Sequence, residues 1–119
     1  MNLNLKAWGR IGVAAYALGA AKYVTRRFAD KRWDDAFSKL HLVAALALPA
    51  AAGVHTAQAL RAGSLTAAKA VTGAVIHTGV AGLIVSHVCS TPLGSKAMPM
   101  HRAATVVSGA GILAHCLCR

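Results

Sequence analysis

Six histidines stand in a chain of 119 residues that has only three acids, and four of them form two matched pairs. The stretch HLVAALALPAAAGVH runs from His41 to His55, and HRAATVVSGAGILAH runs from His101 to His115. Each is an apolar run closed at both ends by an imidazole, fourteen residues apart. On an α-helix that separation falls ~40° short of four full turns, so the two rings of a pair share a face about 21 Å apart. Neutral imidazole is a common ligand of haem iron, and two helices with such pairs could clamp two stacked haems. The competing reading is an interfacial one. His41, His101 and His115 lie at expected helix ends and His55 lies near one, beside Gln58, where a polar side chain simply meets headgroups. The interfacial role is the expectation for these four.

His77 differs because it lies in the middle of an apolar run, AVIHTGVAGLIVSHV. An unpaired polar group in hydrocarbon costs a few kcal/mol, so an imidazole at that depth calls for a partner. A haem iron would supply one, and so would a facing carbonyl or hydroxyl. His87 is ten residues further on and ~80° off the same face. The two are poor co-ligands but could line one pocket.

The elements that must position these residues follow from composition. The chain is 56% hydrophobic with a mean hydropathy of +0.53. A soluble domain this short buries too small a fraction of its surface to hide that much apolar area. The apolar residues also come in blocks. Leu40–Leu60 carries no formal charge over 21 residues, about 30 Å of helix, which matches the hydrocarbon thickness. Ala70–Val88 and Ala103–Cys118 are further candidate spans, and Trp8–Val24 is a fourth, with Arg10 and Lys22 near its ends able to snorkel. The expected architecture is all-α: an integral membrane helical bundle of three to four transmembrane helices. It forms a single membrane domain over 1–119, with spans at 8–24, 40–60, 70–88 and 103–118.

Charge is distributed to suit that reading. The net charge is +10, and six of the thirteen basic residues crowd KYVTRRFADKRWDDAFSK, which also holds every acid, Asp30, Asp34 and Asp35. Eight basic residues fall on the side of the 25–39 and 89–102 connections and five on the other, which places those connections in the cytoplasm or an organellar matrix. Phe28, Trp33 and Phe37 among the charges suggest that 25–39 is an interfacial basic segment. Arg26, Arg27, Lys31 and Arg32 are its expected contacts with cardiolipin or another phospholipid. A lipid-facing loop accounts for the charge, and no nucleic-acid partner is expected. Cys89, Cys116 and Cys118 lack CxxC spacing and imply neither a disulfide framework nor a zinc site. Pro49 should kink the second span, and STPLGSKAMPMH, with two prolines and a glycine, reads as a loop. No aromatic residue follows Phe37, which suggests that the later spans are surrounded by protein. The N-terminal stretch is basic and acid-free up to Asp30, as an organellar targeting sequence would be.

Three segments, LVAALALPAA, AVIHTGVAGLIVSHV and HRAATVVSGAGIL, together resemble the spans of the small cytochrome b membrane-anchor subunit of succinate dehydrogenase, respiratory complex II. Trp33, Lys39 and Pro49 correspond to features that precede and mark a span in that family. The resemblance covers roughly Trp33 to Leu113. It implies that His77 is the axial ligand of a haem b, with Gly79 or Gly82 beside it and His87 near the pocket. It also implies a mitochondrial inner membrane location, partner subunits that carry the catalytic chemistry, and ubiquinone nearby. Where the family has an Asp-Tyr pair that helps to hold ubiquinone, this chain has Ser86 and His87. A second resemblance, over the whole length and carried by FSKLHLVAALAL, is to a family of small four-span membrane proteins, some of them mitochondrial. The leading expectation is a haem b anchor subunit of a respiratory-chain complex. The alternative is a cofactor-free accessory subunit of a mitochondrial respiratory complex, supercomplex or ATP synthase, and neither reading places catalysis in this chain.

Overall fold

A computed structural model describes residues 5–28 and 30–118, and every regular element among them is helical. The elements are α1 (Leu5–Phe28), α2 (Lys31–Arg61), α3 (Ala67–Val88), α4 (Ser90–Leu93), a 3-10 turn at Gly94–Lys96, and α5 (Ala97–Leu117). The segments 8–24, 40–60 and 70–88 lie inside α1, α2 and α3, and 103–118 lies in α5 except for Cys118, its C-cap. Two of these helices, α2 and α3, are long and apolar enough to cross a membrane. In α1 Lys6, Arg10, Lys22, Arg26 and Arg27 lower the hydropathy, and in α5 Arg102 does so with His101 and His115.

Local chemistry sets the helix boundaries. Asp30 is extended, and its carboxylate accepts the Trp33 backbone N–H at 3.1 Å, so it caps the start of α2. The 25–39 segment is thereby divided between the end of α1 and the first turns of α2. At the other end of α2 the Ala62 N–H donates to the Gln58 carbonyl at 2.9 Å. Gly63 follows at a φ of 61°, the left-handed position that glycine takes at no steric cost. Thr66 then caps α3, its hydroxyl accepting the Lys69 N–H at 3.3 Å.

The segment expected as a loop between the third and fourth spans is largely helical. Pro92 and Pro99 sit in the first turns of α4 and α5, where a missing N–H breaks no helical bond, and Gly94 makes the turn at a φ of 53°. Pro49 lies inside α2, which continues through it.

The chain divides into two compact units, Met1–Ala62 and Gly63–Arg119. In the first, α1 packs antiparallel on α2; in the second, α3 packs on α5. Both seams are built from small residues. Gly12 and Ala15 on α1 are buried with Ala44, Leu48 and Ala51 on α2. Gly79, Val80 and Ser86 on α3 are buried with Ala104, Ser108 and Gly111 on α5. The two units share a plan. Buried residues fall three, seven and ten positions after the first histidine in α2 and again in α5, and Pro49 and Gly109 both fall eight positions after it. Gly-Val-Ala recurs at Gly12–Ala14 and Gly79–Ala81, its glycine buried in each seam.

The second seam is the tighter. A Cβ built on Gly79 would lie 2.7 Å from the Ser108 nitrogen and 2.9 Å from its Cα, besides meeting its Oγ. One on Gly82 would lie 2.9 Å from the Ala104 Cβ, and one on Gly111 would lie 2.9 Å from Ile76 Cγ1. Helices approach this closely only where side chains are absent. The outer faces are apolar instead, with Leu46 71% and Val106 70% exposed.

Two predictions test this packing. Gly79→Leu should cost about 3 kcal/mol or more, because the obstructing atoms are backbone, whereas Gly53→Ala, which meets nothing within 4 Å, should stabilise by roughly 0.5–1 kcal/mol. Ser108 is fully buried and its hydroxyl has no partner among the described residues, so Ser108→Ala should raise stability by about 1 kcal/mol. Reversible unfolding in mixed micelles measures all three, and a Gly79→Leu protein as stable as the parent would exclude the close approach.

Candidate functional site

The four paired histidines hold the hairpins together. In the first hairpin, His41 Nδ1–H donates to the Gly19 carbonyl at 2.9 Å and His55 Nδ1–H donates to the Leu5 carbonyl at 2.7 Å. Stepping fourteen residues along α2 from His41 to His55 steps back fourteen along α1 from Gly19 to Leu5. Both bonds therefore belong to one antiparallel register. Gly9 makes room for the second ring, since a Cβ there would lie 3.1 Å from His55 Cε1.

The second hairpin repeats the device with different acceptors. His101 Nδ1 lies 3.0 Å from Ser86 Oγ, and His115 Nδ1 lies 2.8 Å from Thr72 Oγ1. Ser86 and Thr72 are again fourteen residues apart. Each hydroxyl has one hydrogen and lies within reach of a helical carbonyl, Leu83 for Ser86 at 2.9 Å and Ala68 for Thr72 at 2.9 Å. A hydroxyl that donates to that carbonyl must accept from the imidazole. With the hydroxyls so directed, Nδ1–H serves all four rings; a hydroxyl turned towards the ring would donate to Nδ1 instead.

This departs from the interfacial expectation: His41, His55, His101 and His115 are half-buried and turned towards the partner helix. The shared face inferred from the fourteen-residue spacing is real, and a second helix occupies it. The sequence signal for the partners was present, since Thr72 and Ser86 repeat the histidine spacing. Backbone acceptors leave no such trace in a sequence.

Lys22 is likewise committed to its neighbour. Its ammonium group pairs with Asp34 Oδ1 at 2.6 Å and donates to the Asp34 carbonyl at 3.0 Å and to Ser38 Oγ at 2.6 Å. Both charged side chains are less than a third exposed, so the pair is better shielded than a surface one. The snorkelling role expected for Lys22 gives way to this bond. Arg26, Arg27, Lys31 and Arg32 are exposed at the same end of the hairpin. No ion pair engages them among the described residues.

His77 and Gly79, expected side by side at a haem, lie on different faces of α3. Two residues turn a helix by ~200°, so His77 is directed away from the seam in which Gly79 meets Ser108. The room that Gly79 and Gly82 leave is filled by α5. Around His77 itself lie Gly73, Ala74 and Ala81, four and three residues before it and four after, all on its face. A Cβ on Gly73 would meet nothing within 4 Å. The flat face beside His77 is thus made by Gly73, which the sequence reading passed over. His77 is half-buried, and His87 is exposed near the end of α3. No cluster of three or more metal-ligating side chains occurs among the described residues, and the three cysteines are unpaired thiols.

No protein-family model matches this chain, nor does any curated protein or solved structure.

Nitrogen chemical shifts of the four imidazoles provide the check on the hydrogen bonds. His41 and His55 should carry the proton on Nδ1 at neutral pH, and either ring protonated only on Nε2 would rule out its bond to a carbonyl. The same finding at His101 or His115 would instead reverse the bond, with the hydroxyl donating. Replacing His115 by Phe should cost roughly 0.6–2 kcal/mol, the range for a hydrogen bond between membrane helices.

Proposed function

We propose that the chain is a membrane-embedded, non-catalytic subunit of a larger respiratory-chain complex, most like the haem b anchor of succinate:quinone oxidoreductase. His77 carries this reading. It is an ionisable residue in the middle of α3, on the face turned away from the hairpin partner, with small residues above and below it. A flat porphyrin edge suits the surface made by Gly73, Ala74 and Ala81, whereas the α3–α5 seam has no room for one. Haem would supply electron transfer there. This chain would contribute one axial imidazole and one wall, and a partner subunit the rest.

In this reading α1, α2, α3 and α5 all cross the mitochondrial inner membrane. The apolar outer faces and the eight-to-five charge asymmetry support that arrangement. Catalysis and quinone reduction belong to the partner subunits. A second reading, the cofactor-free accessory subunit, is favoured by the use of four of the six histidines as bonds between helices.

A reduced-minus-oxidised spectrum of the gently solubilised native assembly separates the two. The haem anchor requires a b-type α-band that is lost in His77→Ala and in Gly73→Leu, with the helical content of both variants retained. A band that survives both substitutions, or no band in the parent assembly, overturns haem ligation here and leaves the accessory subunit.

A further inference from the structure

The first hairpin carries an apolar groove of about 210 Å³ between its helices. Ile11, Ala15 and Leu18 line it from α1, and Leu40, Val43 and Ala47 line it from α2. An apolar cavity of ~150 Å³ accepts a benzene molecule, so this one accommodates a stretch of hydrocarbon chain.

The groove stops short of a strongly basic end. Leu18 lies eight residues before Arg26, about 12 Å along α1, and the groove extends a further ~10 Å to Ile11. A lipid with its phosphate level with Arg26 would pass through about 6 Å of headgroup layer and then a ~15 Å leaflet of hydrocarbon. The groove thus lies at the depth of the lower half of that acyl chain.

The four basic residues at this end are not equivalent. Taking 100° per residue, Arg26 on α1 and Arg32 on α2 each lie about 70° from the centre of the groove face. Arg27 and Lys31 each lie about 170° away, on the opposite side. Trp33 lies about 30° from the centre of the face on α2, where an amphipathic ring meets the headgroup layer. Asp30 accepts from the Trp33 N–H and Asp34 pairs with Lys22; Asp35 is exposed one turn after Arg32, and no ion pair engages Arg26 or Arg32 among the described residues. Guanidinium groups offer paired donors that match a phosphate.

We propose that the groove, Arg26 and Arg32 form a binding site for one anionic phospholipid, its acyl chain in the groove and its phosphate between the two guanidinium groups. The inference rests on the membrane reading given above and is independent of the haem.

Native mass spectrometry of the full chain in mild detergent tests it, with phosphatidylglycerol and phosphatidylcholine of identical acyl chains as probes. The parent should retain phosphatidylglycerol preferentially. Arg26→Ala with Arg32→Ala should weaken that binding ~10- to 30-fold. Arg27→Ala with Lys31→Ala removes the same charge and should change it by no more than ~3-fold. Ala47→Phe should displace both lipids. Ala14 also lines the groove from α1, and Ala14→Phe repeats that test should the first variant fail to fold. Equal losses in the two double variants would reduce the effect to diffuse surface charge and overturn the site. Lipid retention unchanged by groove filling would also overturn it and leave the groove to a partner helix. Alkaline extraction of the chain from phosphatidylcholine vesicles addresses the parent reading: an extracted chain sinks membrane insertion itself, whereas an embedded chain that binds both lipids alike sinks the lipid site alone.

Discussion

An imidazole that donates its Nδ1 hydrogen to the neighbouring helix fixes three things at once. It satisfies a polar group at a half-buried position, pins the register of two antiparallel helices, and sets the ring's own proton. One such bond would leave a hairpin free to pivot. Two of them, about 21 Å apart, prevent sliding and splaying together. Both hairpins use this device at the same spacing, and their buried residues then follow in the same order. Small residues permit the close approach between the bonded ends; the histidines select which of the permitted alignments is adopted.

That division of labour explains where sequence reasoning succeeded. Fourteen-residue spacing placed each pair of rings on one face of a helix, and the four apolar blocks located all four long helices. Ser64 and Thr66 both precede an apolar run and either could be read as its cap; Thr66 is the one that serves. The spacing could not show what the rings meet. Gly19 and Leu5 accept through backbone carbonyls, which every residue possesses, so composition holds no trace of them. Thr72 and Ser86 were legible in principle, but only if the histidine spacing was sought in a second helix.

The two other misreadings have physical causes as well. STPLGSKAMPMH looked like a loop because prolines interrupt helices, yet both prolines occupy first turns, where they interrupt nothing. Gly79 looked like a partner for His77 because the two are neighbours in sequence. Helical rotation sends them to opposite faces, and the glycine serves a backbone contact with Ser108. Gly73, one turn before His77, is the glycine that shares its side. Sequence proximity and facial proximity differ most at a separation of two residues.

The hairpins also differ in what would damage them. In the first, the acceptors are main-chain atoms that no substitution removes, so α1 is vulnerable chiefly to gained bulk, at Gly9 above all, where a larger residue would push His55 aside. In the second, the acceptors are two particular hydroxyls, so α3 is vulnerable to simple loss, as when Ser86 or Thr72 becomes alanine. Bulk thus threatens both hairpins, at Gly9 in the first and at Gly79 in the second, but only the second can also lose an acceptor to a single substitution.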